Sequence, residues 1–201
     1  GQLMSMQAQP SGTRLVLRTA ARSLELVTHP NRIGYRGVDR PRGRIDVFVD
    51  DVRILSDELT GGDLLEVDLR TGAMIPSAGS AHTTIVQLPG ADCRVEIWLP
   101  HNESVELVSL RSDAPVGPDD ERRPVWLHHG SSISQGSNAA APSEIWPAIA
   151  ARRAGVDLHN LGFGGGAVGE PFLDRGMGRL LFTSGAAAGH LLVCFRGRRL
   201  I

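Results

Sequence analysis

The sequence predicts an all-β sandwich followed by the start of an α/β layer. Two patterns carry this expectation. Apolar residues recur at period two from about Ser11 to Ser112, and beyond a proline- and charge-rich stretch the order becomes strand, helix, strand. A chain of 201 residues with 41% hydrophobic content can bury the core that both parts need.

In the first half the alternating segments are TRLVLRT (13–19), SLELVTH (23–29), RIDVFVDD (44–51), DLLEVDLR (63–70), HTTIVQL (82–88), CRVEIWLP (93–100) and SVELVSLRS (104–112). Ile45, Val47 and Val49, like Val95, Ile97 and Leu99, fall on one side of a strand, which predicts one buried face. Turn-forming stretches separate the segments: DD, TGGD, SAGS, PGAD and PHNES. Short strands at this spacing, without a helical pattern, predict a β-sandwich over 1–118.

Residues 112–124, SDAPVGPDDERRP, hold prolines and clustered charges and read as an exposed linker, placing the domain boundary there. From 119 to 201 the pattern is that of an α/β domain. PVWLHHG (124–130) is a short strand, SEIWPAIAARRAG (143–155) a helix, and VDLHNLG (156–162) a second strand. Ser143 is expected to cap the helix, Pro147 to be tolerated near its first turn, and Gly155 to stop it. From Arg175 to Ile201 arginines occur without any acidic residue, and the stretch is expected to hold another helix and the strand HLLVCF (190–195).

Composition removes several functions. A formal charge of −1 gives no electrostatic pull toward nucleic acid or an anionic membrane. Every basic residue is arginine, so the lysine of a Walker A loop or of a pyridoxal Schiff base is missing. Cys93 and Cys194 are too few for a disulfide framework or a cysteine zinc site and are expected to be free thiols; no cofactor or metal is expected. The first ten residues lack the pattern of a signal peptide and no apolar run could span a bilayer. A soluble protein is expected, cytoplasmic unless a secretion signal has already been removed. Arg32, Arg36, Arg40, Arg42 and Arg44 are nearly neutralised by Asp39, Asp46, Asp50 and Asp51, which reads as a solvated loop and not a nucleic-acid site. GFGGGA satisfies a dinucleotide-type glycine spacing, but no acidic residue follows about twenty residues later. No oligomeric state follows from these residues.

The stretch that carries chemistry is HHGSSISQG, 128–136, with Ser131, Ser132 and Ser134 between two glycines after an apolar strand. A serine attacks well only when a base takes its proton and N–H donors wait for the oxyanion. A Gly-x-Ser turn at the carboxyl end of a parallel strand exposes the hydroxyl beside such donors, and Ser132 has that place. The α/β-hydrolase elbow fits poorly, because Ser134 stands where its second glycine belongs and the helix begins about ten residues later.

GSSIS resembles the Gly-Asp-Ser-Ile-Thr block of SGNH or GDSL-type esterases. Gly130, Ser132 and Ile133 match, Ser134 replaces Thr, and Ser131 departs from Asp. EIWPAIAARRAGVDLHNLGFGGGAV (144–168) is similar to the next part of that family, with Asn160 near the strand end and GFGGG in the place of the second block. Some members carry a jelly-roll-like β-sandwich ahead of the esterase domain, so the resemblance covers most of residues 11–168.

The resemblance implies the N-terminal part of a three-layer, flavodoxin-like SGNH domain in residues 119–201. It implies Ser132 as nucleophile, with the N–H groups of Ser132 and Gly165 as the oxyanion hole. The reaction implied is ester hydrolysis, esterase- or lipase-like, on a small ester or an acylated carbohydrate. The family's Gly-x-Asn-Asp and Asp-x-x-His blocks are absent from the sequence. The base is therefore unknown; His128, His129, His159 and His190 are weighed for it. The chain is expected to be a weak or inactive esterase, truncated or frame-altered at its C-terminal end. The competing function is a carbohydrate-binding or interaction module on the sandwich, whose aromatics are Tyr35, Phe48 and Trp98. Trp98 is expected in the core or at the domain interface.

Overall fold

The computed structural model describes residues 8–165 and the backbone of 191–194. The first part contains β1 (Arg14–Thr19), β2 (Ser23–Tyr35), β3 (Arg44–Val49), β4 (Val52–Glu58), β5 (Asp63–Val67), β6 (Met74–Ser77), β7 (His82–Gln87), β8 (Cys93–Trp98), β9 (Ser104–Ser112) and β10 (Val116–Pro118). The second contains β11 (Val125–Gly130), α1 (Ser132–Gln135), a 3-10 turn at Pro142–Glu144, α2 (Trp146–Ala154), β12 (Asp157–Gly162) and β13 (Leu191–Cys194).

One antiparallel sheet has the order β10-β1-β8-β3-β4. In the other, β2 pairs antiparallel with β7 and β9, and its C-terminal half runs parallel to β5, which carries β6 outside it. Leu17, Ile45, Val47, Val95 and Ile97 of the first sheet meet Leu24, Leu26 and Val86 of the second in a single apolar cluster. The period-two residues of the sequence therefore do face a common core. The Asp50–Asp51 turn joins β3 to β4, and both residues have positive φ, 46° and 66°. Two left-handed residues match the twist of a hairpin, and aspartate tolerates that region better than most side chains.

Three expectations need correction. First, β3 and β8 are buried along nearly their whole length, not on one face. Their second face, with Asp46, Phe48, Arg94, Glu96 and Trp98, lies under the α/β layer. Charges survive there because they are paired: Arg94 bonds Glu96 and reaches Asp119 at 2.6 Å. Second, 112–124 is not simply an exposed linker. Val116–Pro118 adds to the edge of the first sheet beside β1, where a proline costs no ladder bond, and the Asp119 side chain is buried against Arg94. Third, Ser143 does not cap α2. The helix starts at Trp146, and the Ser143 N–H and Oγ–H both donate to Asp46 Oδ2, at 3.2 and 2.5 Å. That bond ties the turn before the helix to β3.

Pro147 does sit in the first turn of α2, and Gly155 ends the helix with φ of 65°. Ile145, Ala148 and Ala151 cluster with Trp126 and Leu158 from β11 and β12 and with Phe48 and Trp98 from the sheet. This second core welds the layers together. Burial of Trp98, 1% exposed, realises the interface expectation. β11 pairs in parallel with β12 and with β13, giving the order β12-β11-β13 with the first strand in the centre.

Candidate active site

The end of β11 and the end of β12 are aligned, Gly130 beside Gly162, and α1 turns back over both. The reason is spatial. A Cβ on Gly130 would stand 2.1 Å from Ser134 Oγ, and one on Gly162 would stand 2.4 Å from Ser134 Cβ. Two glycines at the strand tips therefore let Ser134 settle between them, which draws α1 onto the sheet.

The three serines of the motif then take different positions. Ser131 is the N-cap residue of α1, and its carbonyl accepts the N–H groups of Ser134 and Gln135. Ser134 is buried, and its Oγ lies 2.8 Å from His128 Nε2. Ser132 opens the helix and is exposed. Its N–H falls in the first turn, where a helix provides no internal acceptor. Ser134 and His128 have the look of a nucleophile–base pair, yet Ser134 is wedged between the glycines with no room for an incoming carbonyl.

Of the weighed histidines, the three among the described residues, His128, His129 and His159, do not meet Ser132. His128 is spent on Ser134 and packs edge-on to Trp146, ring centroids 4.8 Å apart. Burial, with His129 beside it, pushes its imidazole down to about 4, so it is neutral at pH 7. His129, the next residue of β11, points to the other face of the sheet. His159 is exposed on β12 and lines a cleft of about 440 Å³ with Gly12, Arg14 and Asp157. His190 lies outside the described residues. Among the described residues no side chain comes within hydrogen-bonding distance of Ser132 Oγ.

Gly165 closes the turn after β12 with φ of 80°, a conformation that favours glycine. The same turn is tied back to the motif twice. Phe163 N–H donates to Gly130 O at 3.2 Å, and Gly164 N–H to Gln135 Oε1 at 2.5 Å. Asn160 adds a third link, its Nδ2 donating to Ser134 O at 2.9 Å while its Oδ1 accepts Gly162 N–H at 3.0 Å. Gln135 was not singled out from sequence; the signal available was a long amide directly after the serines with no place on a solvent face. Asn160 was read as part of the strand-end pattern without a bonding role.

Elsewhere, Asp57, His82 and Thr60 also form a carboxylate–imidazole–hydroxyl row, with His82 Nε2 2.9 Å from Asp57 and Nδ1 3.0 Å from Thr60 Oγ1. There Nδ1 already accepts the Thr60 N–H at 3.2 Å, so the row fastens a turn and does not activate the hydroxyl. Of the aromatics in the first part of the chain, Phe48 and Trp98 are buried, and Tyr35 is half-buried with Arg40 5.3 Å from its ring centre. Cys93 is a buried free thiol; the Cys194 side chain lies outside the described atoms. No group of three or more His, Cys, Asp or Glu among the described residues could hold a metal ion, and no described helix is long and apolar enough to cross a membrane.

The chain is similar to the salicylyl-acyltransferase SsfX3 from a tetracycline biosynthetic pathway, with 31% identity over 80% of this chain and a TM-score of 0.64. It is also similar to a GDSL-like lipase of Bacteroides ovatus, with 16% identity over 97% of this chain and a TM-score of 0.62. The described part of the chain shares its fold with the matching part of both proteins. The chain spans 42% and 54% of the lengths of those two proteins. No family model matches the sequence, and no curated protein does.

Proposed function

We propose that residues 1–118 form a jelly-roll-like sandwich domain and residues 119–201 the N-terminal part of a flavodoxin-like SGNH domain, and that Ser132 is the nucleophile of an acyl-transfer reaction on an ester. One observation carries this reading: of the three serines in the motif, Ser132 alone opens the helix exposed, with the Gly165 turn bonded to that same helix.

In the proposed chemistry Ser132 Oγ attacks the ester carbonyl while its proton passes to a base. The oxyanion that forms accepts the N–H groups of Ser132 and Gly165, the alcohol leaves, and water releases the acid from the acyl-serine. Substrates are a small ester or an acylated carbohydrate. Transfer of the acyl group to another alcohol is the second form of the same chemistry, and the likeness to an acyltransferase at 31% identity favours considering it. A positioned base contributes typically about 10²- to 10⁴-fold. With His128 and Ser134 bonded to each other, the base that takes the Ser132 proton comes from outside the described histidines.

The test is labelling by a fluorophosphonate at pH 8 to 9, with and without added imidazole as a soluble base. Mass spectrometry should find the adduct on Ser132, faster with imidazole and absent from Ser132→Ala. An adduct on Ser131 or Ser134, or none under any condition, refutes the assignment.

A further inference from the structure

We propose that Gln135 is a positioning residue that holds the Gly164–Gly165 turn against α1, and that Gln9, from the segment leading into the sandwich, sets its orientation. The inference rests on the reading of Ser132 and Gly165 as parts of one acyl-transfer site.

Gln135 is fully buried, and a buried primary amide needs partners for both of its ends. Its Oε1 accepts the N–H of Gly164, next to the proposed oxyanion donor, and its Nε2 donates to Gln9 Oε1. Gln9 in turn donates from Nε2 to the Asn102 carbonyl at 3.2 Å. The row has fixed ends, and they determine everything between. A carbonyl can only accept, so Gln9 must present its NH2 to Asn102 and its oxygen to Gln135. Gln135 must then present its NH2 to Gln9, which leaves its oxygen for Gly164, whose N–H can only donate. Every amide is satisfied in one orientation, and reversing either one places two donors or two acceptors face to face.

The main chain is braced from the same side. Ser11 Oγ–H donates to Gln135 O at 2.6 Å, and Asn160 Nδ2 lies 3.3 Å from Ser11 Oγ. Gly12 packs so tightly here that a Cβ would stand 2.7 Å from Asn160 Cβ. Oxyanion donors act only when held to within about half an ångström of the productive position. A glycine-rich turn cannot hold itself so, because glycine restricts its backbone least. The segment entering the sandwich thereby becomes part of the site's support.

Amide hydrogen exchange tests this on the whole chain. In Gln135→Met the Gly164 N–H should exchange about tenfold faster, the equivalent of one lost hydrogen bond. The Ile149 N–H of α2 and the strand amides of β11 should change less than about twofold. Gln9→Met, which leaves α1 intact, should give a smaller rise at the same amide and serves if Gln135→Met does not fold. Unchanged protection at Gly164, or a uniform rise across all amides, overturns the proposal. Ser132→Ala should leave Gly164 protection as it is. Failure of phosphonate labelling would thus remove the acyl-transfer reading without touching the exchange result.

Discussion

Replacing Gly130 with alanine places a Cβ 2.1 Å from Ser134 Oγ and 2.7 Å from Ser134 Cβ, where ordinary contact begins at 3.4 Å. Neither β11 nor the packed α1 can give that much, so the cost belongs at the upper end of overpacking, about 3 kcal/mol. In a chain of this size that lowers Tm by about 6 to 12 °C. Ser134→Gly alone removes the bond to buried His128 and puts glycine inside a helix, together about 2 to 3 kcal/mol. The two costs should not add. With Ser134→Gly the two closest atoms vanish and the nearest remaining neighbour of the new methyl is His128 Nε2 at 3.2 Å, so the double variant should be about as stable as Ser134→Gly. Gly162→Ala provides the contrast. Its Cβ also meets the Ser134 carbonyl carbon at 2.8 Å and Gln135 N at 2.9 Å, main-chain atoms that Ser134→Gly leaves in place, so relief there should be small. Urea unfolding followed by tryptophan fluorescence gives all five stabilities. Additivity at Gly130 within about 0.5 kcal/mol, or equal relief at both glycines, would refute the idea that Ser134 is what fills this gap.

Two further outcomes follow from buried charge. His128 titrates near 4 when folded and near 6.5 when unfolded, so only the unfolded chain takes up this proton as pH falls between those values. Its contribution to stability is whole above pH 6.5 and drains away toward pH 4, by up to about 1.4 kcal/mol per pH unit; burial lowers His101 too and acts in the same direction. Urea midpoints measured from pH 7.5 to 4.5 should show this slope and show it reduced in His128→Asn; an equal slope in both proteins contradicts the burial argument. Arg94→Met takes the cation away from the buried Asp119 carboxylate, while Glu96 keeps Arg14 and the Trp98 indole N–H; it should cost about 3 kcal/mol, whereas a loss under 1 kcal/mol would mean water reaches Asp119.

What could be read from the sequence was whatever repeats with a local period. Alternation located the core strands, and Gly155 located the C-terminal end of α2, because turn and capping chemistry acts within a few residues; the start, expected at Ser143, lies at Trp146. Strands whose apolar residues are mostly exposed, or that are very short, escaped. β4 and β6 are largely exposed, and β10 is an edge strand of three residues with a proline in it. The second face of β3 and β8 escaped for another reason: its residues are Asp46, Arg94 and Glu96, which look solvated until partners about a hundred residues away, such as Ser143, cover them. The same distance hid Gln135, whose partner Gln9 is 126 positions back.

The motif itself shows how polar residues divide between holding and reacting. His128, Ser134 and Gln135 are all buried, and each is bonded to another part of the chain, so their hydroxyl, imidazole and amide are committed to geometry. Ser131 spends its carbonyl on the first turn of α1. Ser132 can be left exposed because its neighbours fix the helix for it. If Ser134 were larger, the gap between Gly130 and Gly162 could not accept it; without its hydroxyl, His128 Nε2 would lose the partner it has there. A small hydroxyl residue two places after the exposed serine is thus a requirement of strand-tip packing, and it constrains the proposed nucleophile without touching a substrate.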